Sequence, residues 1–192
     1  MSGVYERPIS PAFWVQRENV LAEHLVLARR TGDESRNKYE FPVPRSKVTW
    51  VGSQGISPAH QGNLCNSVDI YVPEGTLVSS AADGVVVNVS DGFSAHGIST
   101  DFWAKGNRVD IRHKHDEYTA YEHLAPGIRV KVGDKVRKGQ VIALSGNTGF
   151  SENPHLHFEA YRWFGPGPDD YETLKVRFSD FEDVYKSVRR LR

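Results

Sequence analysis

His155-Leu156-His157 is the segment with the most chemical content. In an extended chain, residues two apart share a face, so a strand here turns both imidazoles to one side. Zinc favours imidazole nitrogen, and a site that activates water also needs a base beside the metal. The chain has eight histidines, so one pair at this spacing carries little weight alone. A second pair, His113-Lys114-His115, runs into the charged stretch His113 to Glu117 and reads as a hairpin tip, structural or solvent-exposed. Asp69 sits in the strand-like segment Asn66-Ser67-Val68-Asp69-Ile70. A carboxylate there must be paired, solvated or bound to a metal; a surface aspartate on an edge strand is the plain alternative. His123, in Tyr121-Glu122-His123-Leu124, suits a general base, a transition-state donor or a satisfied structural residue. His60 and Cys65 both precede Asp69, and either supplies a ligand acceptable to zinc. A lone cysteine serves equally well as a small apolar residue.

Short strands would have to position these groups. Val48 to Val51, Ser67 to Val72, Val85 to Val89, Arg108 to His113, Tyr118 to His123, Ile128 to Val132, Val141 to Ser145 and His155 to Tyr161 read as strands. Gly, Asp and Pro punctuate them at short intervals, as in Pro73-Glu74-Gly75-Thr76 and Asp83-Gly84. That pattern predicts an antiparallel, mainly β architecture. Ahead of it, Ser10 and Pro11 suit a helix start. Trp14, Leu21, Leu25 and Ala28 share one helical face, and Gly32 can close the helix. Pro11 to Thr31 is therefore predicted as one amphipathic helix, packed on the main domain or on a partner, with His24 as a surface or packing residue. Asp33 to Lys38 reads as a loop, and Phe41 to Pro44 as extended. The tail from Phe178 to Arg192 reads as a short helix with a basic, solvated end at Lys186 to Arg192. The expected organisation is an extension over 1–47, a β domain over 48–178 and a helical tail over 179–192.

The 192 residues suffice for one domain with a decoration. Lys plus Arg number 24 and Asp plus Glu number 24, so no net charge draws the chain to nucleic acid or an anionic membrane. A single cysteine excludes an intrachain disulfide. Met1 to Pro8 shows neither a basic start with an apolar run nor a small-residue cleavage site. The chain is expected inside the cell, exported by another route, or freed of a leader. Nothing in it reads as a transmembrane span.

Taken in order, the features say more than any one of them. After His60 and Asp69 come the turn Pro73 to Thr76, Ala81-Ala82-Asp83-Gly84-Val85-Val86, Gly106-Asn107 and Tyr121-Glu122-His123-Leu124. Then follow Val132-Gly133-Asp134-Lys135-Val136-Arg137-Lys138-Gly139-Gln140-Val141-Ile142, Gly146-Asn147-Thr148-Gly149 and Pro154-His155-Leu156-His157-Phe158-Glu159. From about His60 to Tyr161 the series closely resembles the lysostaphin/LytM-type metallopeptidases. The resemblance implies a twisted antiparallel sheet, of barrel-sandwich hybrid type, crossed by a groove that Asn107 and Tyr121 would line. It implies one zinc per chain, held by two histidines and an aspartate, with Asp69 and His157 as two of these ligands. His155 and His123 resemble the pair of catalytic histidines.

The first ligand departs from the common pattern, which has a histidine four positions before the aspartate; here that position is Cys65. His60-Gln61-Gly62 resembles the His-x-Gly turn of a variant subset, so His60 is the expected ligand and Cys65 the alternative. The implied activity is hydrolysis of short flexible peptides such as peptidoglycan stem peptides or cross-bridges. One histidine would take a proton from water, and the other would stabilise the oxyanion. Two rivals belong to other classes. A non-catalytic member of the fold would bind without cleaving. Val132 to Ile142 also resembles a segment of biotinyl and lipoyl carrier domains, but no carrier lysine motif is present and a carrier has no use for the histidines.

Overall fold

The computed structural model describes residues 33–53, 60, 62–167 and 170–179. Among them run β1 (Trp50–Ser53), β2 (Val68–Tyr71), β3 (Leu77–Ser79), β4 (Gly84–Ser90), β5 (His96–Gly97) and β6 (Arg108–Arg112). They are followed by β7 (Glu117–Glu122), β8 (Lys135–Val136), β9 (Val141–Leu144), β10 (Gly149–Phe150), β11 (Leu156–Trp163) and β12 (Tyr171–Leu174). An eight-stranded sheet has the order β1-β2-β11-β7-β6-β4-β8, with β12 also on β11. Its ladders are antiparallel. β3 and β9 form an antiparallel pair, and β5 and β10 a short parallel one.

Strand alternation sorts this sheet into two chemistries. Leu156, Phe158 and Ala160 of β11 turn to one side and join Val68, Ile70, Val109, Ile111 and Tyr121 in the main apolar cluster. Phe158 is wholly buried and meets the rings of Tyr39, Tyr121 and Phe178. Burying such a side chain stabilises the fold by about 3 kcal/mol. His157 and Glu159 have the opposite parity and turn to the other side. A smaller apolar cluster of Leu64, Ala120, Tyr161 and Tyr171 covers part of that second face.

Residues 33–47, expected as an extension, add Tyr39, Phe41 and Val43 to the main core. They also pair in parallel with the chain after β12, at Glu34 with Lys175 and Tyr39 with Phe178. Four backbone bonds tie this clasp: Lys175 N to Asp33 O, Ser35 N to Lys175 O, Tyr39 N to Arg177 O and Ser179 N to Tyr39 O, each 2.8 or 2.9 Å. The buried Glu117 carboxylate anchors it to β7. It accepts from Arg36 N, Asn37 N, Asn37 Nδ2 and the Tyr39 hydroxyl.

The mainly β, antiparallel expectation is met, and the longer predicted strands lie within one to three residues of those observed. Ile128 to Val132 is corrected: it forms no strand. Asp91 caps the amides of Gly127 and Ile128 there, and Arg129 N donates to Ile142 O. The predicted helix over Pro11 to Thr31 lies outside the described residues, as does the predicted tail helix from residue 180 onward. Phe178 and Ser179, its first residues, are extended against Tyr39.

Candidate metal centre

Antiparallel pairing of β2 with β11 sets Asp69 directly opposite His157. On the other side of β11, β7 sets Glu122 opposite the same histidine. Directly opposed residues share a face, with Cβ atoms about 5 Å apart, so three strands bring an aspartate, a histidine and a glutamate into one row. Asp69 therefore lies on an inner strand rather than an edge. Its side chain is 18% exposed. His60 arrives from outside the sheet, ahead of a 3-10 turn over Gly62–Leu64. Its Nε2 lies 2.9 Å from Asp69 Oδ2, and His157 Nδ1 lies 2.8 Å from Asp69 Oδ1. His155, just before β11, places Nε2 3.6 Å from Asp69 Oδ1. His123, just after β7, stands 4.6 Å from the His155 ring and 5.9 Å from the His157 ring between centroids. Its backbone takes φ +59°, a left-handed conformation that non-glycine residues seldom adopt outside turns and functional sites.

The outer nitrogens of these four rings determine what the inner ones can do. His60 Nδ1 faces the Ser67 carbonyl at 3.2 Å, His123 Nδ1 the Thr148 carbonyl at 2.8 Å and His155 Nδ1 the Asn153 carbonyl at 2.7 Å. His157 Nε2 faces Glu159 Oε1 at 3.0 Å. Carbonyls and carboxylates only accept, so each of these nitrogens donates its N–H. In a neutral ring the other nitrogen then carries a lone pair. His60 Nε2 thus turns a lone pair on Asp69 Oδ2, and His157, which has a carboxylate at each nitrogen, turns one on Asp69 Oδ1 when its single proton sits on Nε2. Lone pairs and carboxylate repel unless a cation sits among them. The ligating atoms of His60, Asp69 and His157 all lie within 4.8 Å of one another, as do those of His123, His155 and His157. Two imidazoles and a carboxylate match the donor chemistry of a zinc site, and the arrangement fits a metal.

Without a metal, a proton supplies the positive charge. Burial pushes the His157 pKa down, but hydrogen bonds to Asp69 and Glu159 more than reverse this and carry it up to about 10. Burial pushes Asp69 up, and the bonds to His157 and His60 bring it well below the usual carboxylate range. Burial, reinforced by the His155 and His157 charges, holds His123 well below the ordinary imidazole value. Burial also lowers His155. The two flanking histidines are therefore neutral at neutral pH.

Cys65 follows the 3-10 turn, half-buried, and belongs to none of the groups of converging ligand atoms among the described residues. The groove positions need correction. Tyr121 and Glu122 are consecutive in β7, so only one can face the site, and the register gives that place to Glu122. Tyr121 is wholly buried on the apolar face, where its hydroxyl accepts from Ala81 N at 2.7 Å. Asn107 is also wholly buried. It accepts from Phe93 N and donates to the carbonyls of Phe93 and Leu124, which ties the 91–106 loop to the end of β7. The cleft beside His123 and His157 is lined instead by Leu64, Trp103, Gly106, Glu122 and Phe150. Trp103 and Phe150 stack at 4.6 Å. His113 and His115 stand apart from the site: His113 is buried against Asp83 and Thr119. Sequence reasoning gave no role to Glu159, although it has the same parity as His157 and follows it by two.

The family model described as Peptidase family M23 matches residues 63–168, a span that starts after His60 and contains Asp69, His123, His155 and His157. The chain is 40% identical over 118 residues to an uncharacterized metalloprotease of Buchnera aphidicola, covering 62% of this chain and 27% of that protein. It is 44% identical over 94 residues to the peptidoglycan DD-endopeptidase ShyA of Vibrio cholerae, covering 49% and 19%. Across the curated relatives it matches, it spans between 17% and 27% of their length. Among solved structures it resembles the catalytic domain of the prophage-encoded M23 protein EnpA from Enterococcus faecalis, crystallised as a mutant. That likeness has a TM-score of 0.51 and 25% identity, over 71% of this chain and 92% of that one. The matched span covers more than half of the 192 residues, and the chain belongs to peptidase family M23.

Proposed function

We propose that this chain is a zinc-dependent endopeptidase that hydrolyses short flexible peptides of the kind found in peptidoglycan stems and cross-bridges. His60, Asp69 and His157 would hold the zinc, and His123 and His155 would carry the proton transfers. One observation carries this reading: four histidines each commit one N–H to a fixed acceptor and aim the other nitrogen at the surroundings of a single carboxylate. The peptidoglycan substrate is supported by family membership and by the likeness to ShyA.

When bound, zinc supplies a Lewis acid that polarises a carbonyl and acidifies water. His155 keeps its proton on Nδ1, bonded to Asn153, and offers Nε2 as acceptor for a proton of the attacking water. His123 offers Nε2 in the same way, with Nδ1 bonded to Thr148. Their lowered pKa values make both acceptors at the start. A ring that has taken up a proton becomes a donor, able to stabilise negative charge on the carbonyl oxygen and to pass the proton to the leaving amine. Trp103 and Phe150 would flank the peptide in the cleft.

The test is digestion of purified peptidoglycan by zinc-loaded protein, with released peptides read by mass spectrometry. Wild type is expected to cleave. His155→Ala should keep its zinc and lose about 10²- to 10⁴-fold in rate, and His157→Ala should lose the zinc itself. A wild type that holds zinc yet cleaves neither stem nor cross-bridge peptides would sink the endopeptidase reading and favour a binding module.

A further inference from the structure

Glu159 is wholly buried in the middle of β11. Taking a carboxylate out of water is costly unless its partners are well placed. An apolar side chain would pack without that cost beside Ala120 and Tyr161, which share its face. The position is nevertheless acidic, and its Oε1 accepts from His157 Nε2 at 3.0 Å. Arg108, buried on β6, contributes opposite charge to the same surroundings. Glu122 also lies near His157. It is partly exposed and is paired with Arg108, which leaves Glu159 as the acceptor for the His157 N–H.

The four site histidines differ in this respect. His60, His123 and His155 donate to backbone carbonyls, whereas His157 donates to a carboxylate. A neutral imidazole has only one lone pair, on whichever nitrogen lacks the proton. With a cation at Asp69, an acceptor at Nε2 keeps the proton there and leaves the lone pair on Nδ1, the atom that faces Asp69. A charged acceptor also raises the electron density of the ring and strengthens the ligand. Glu159 reaches His157 only because strand parity puts both on one face; Phe158, between them, points into the core.

We propose that Glu159 is the positioning residue of the metal centre, fixing His157 as an Nδ1 ligand and setting how tightly the site holds its ion. The proposal rests on the zinc reading above, with His157 as a ligand, and adds what controls affinity.

Zinc affinity would be measured by competition with a chromophoric chelator for wild type, Glu159→Gln and Glu159→Leu. Circular dichroism melts of the metal-free proteins would be recorded alongside. Glu159→Gln keeps an acceptor oxygen and loses the charge, so its zinc dissociation constant should rise about tenfold; Glu159→Leu loses both, and should rise about a hundredfold. In zinc-loaded wild type, long-range proton–nitrogen NMR should find the His157 proton on Nε2. That signal should persist in Glu159→Gln. A merely structural carboxylate would lower the melting temperature in both variants and leave the dissociation constant at the wild-type value; that result would overturn the proposal. Should Glu159→Leu fail to fold, Glu159→Gln alone decides. A wild type that binds no zinc would overturn the zinc reading together with this proposal, whereas wild-type binding with unchanged variants overturns this proposal only.

Discussion

Tyr121→Phe distinguishes a groove residue from a core residue. The substitution removes one oxygen and keeps the ring, which packs edge-on against Phe158. That oxygen accepts the Ala81 amide at 2.7 Å and lies 3.1 Å from the Thr119 hydroxyl, with all three groups buried. Without it, the Ala81 N–H loses its acceptor in a place water does not reach. A buried donor left unmade costs about 1–3 kcal/mol. For a chain of this size, 1 kcal/mol moves the melting temperature by about 2–4 °C. The expected loss is therefore roughly 4–8 °C for a 2 kcal/mol cost. Denaturant and thermal unfolding would measure it, with zinc affinity and KM as controls that should not move. Unchanged stability with an altered KM would refute the reasoning, because it would mean that the hydroxyl meets substrate rather than Ala81.

Three further outcomes follow from the geometry. After zinc loading and dialysis, His60→Ala should hold far less than the one zinc per chain that a four-coordinate site predicts, and Cys65→Ser should match wild type; elemental analysis reads both. Glu117→Ala removes the shared acceptor of Arg36, Asn37 and Tyr39, so it should cost about 3 kcal/mol and open residues 33–47 to limited proteolysis. His113 is buried, donates from Nδ1 to the Asp83 carbonyl and faces the Thr119 hydroxyl with Nε2. Burial lowers its pKa below 6.5, outweighing the Asp83 carbonyl and the Glu117 and Asp83 charges. The unfolded chain then takes up that proton first. The stability from neutral His113 is thus present above pH 6.5 and is lost as pH falls below it. His113→Gln should flatten the acid limb of the stability curve by up to about 1.4 kcal/mol per pH unit; an unchanged slope would show that His113 does not set it.

Local pattern carries far in this sequence. Alternation in 108–112, 117–122 and 156–163 is enough to find three of the strands that build the site, and the same parity places His157 and Glu159 on one face. Parity also separates Tyr121 from Glu122, but only once one neighbour's face is known, and that depends on the register between distant strands. β3, β5 and β10 are two or three residues long, too short to leave a periodic trace. Whether His60 or Cys65 faces Asp69 depends on the path through the 3-10 turn at Gly62–Leu64, which hydrophobic spacing does not encode. Asn107 is legible as a residue of a resembling motif, yet its work is internal: it ties Phe93 to Leu124.

The clasp between residues 33–39 and 175–179 has a mechanical meaning. Its two segments run parallel. A pull applied to the chain before residue 33 and after residue 179 would slide one segment along the other instead of peeling them apart. The four backbone bonds would share the load and break together, while the Tyr39 ring, held by Glu117, would have to leave the core at the same moment. Stretched from both sides, the fold should therefore resist up to a sharp threshold and then yield all at once, with the face that carries Asp69 and His157 intact until that point.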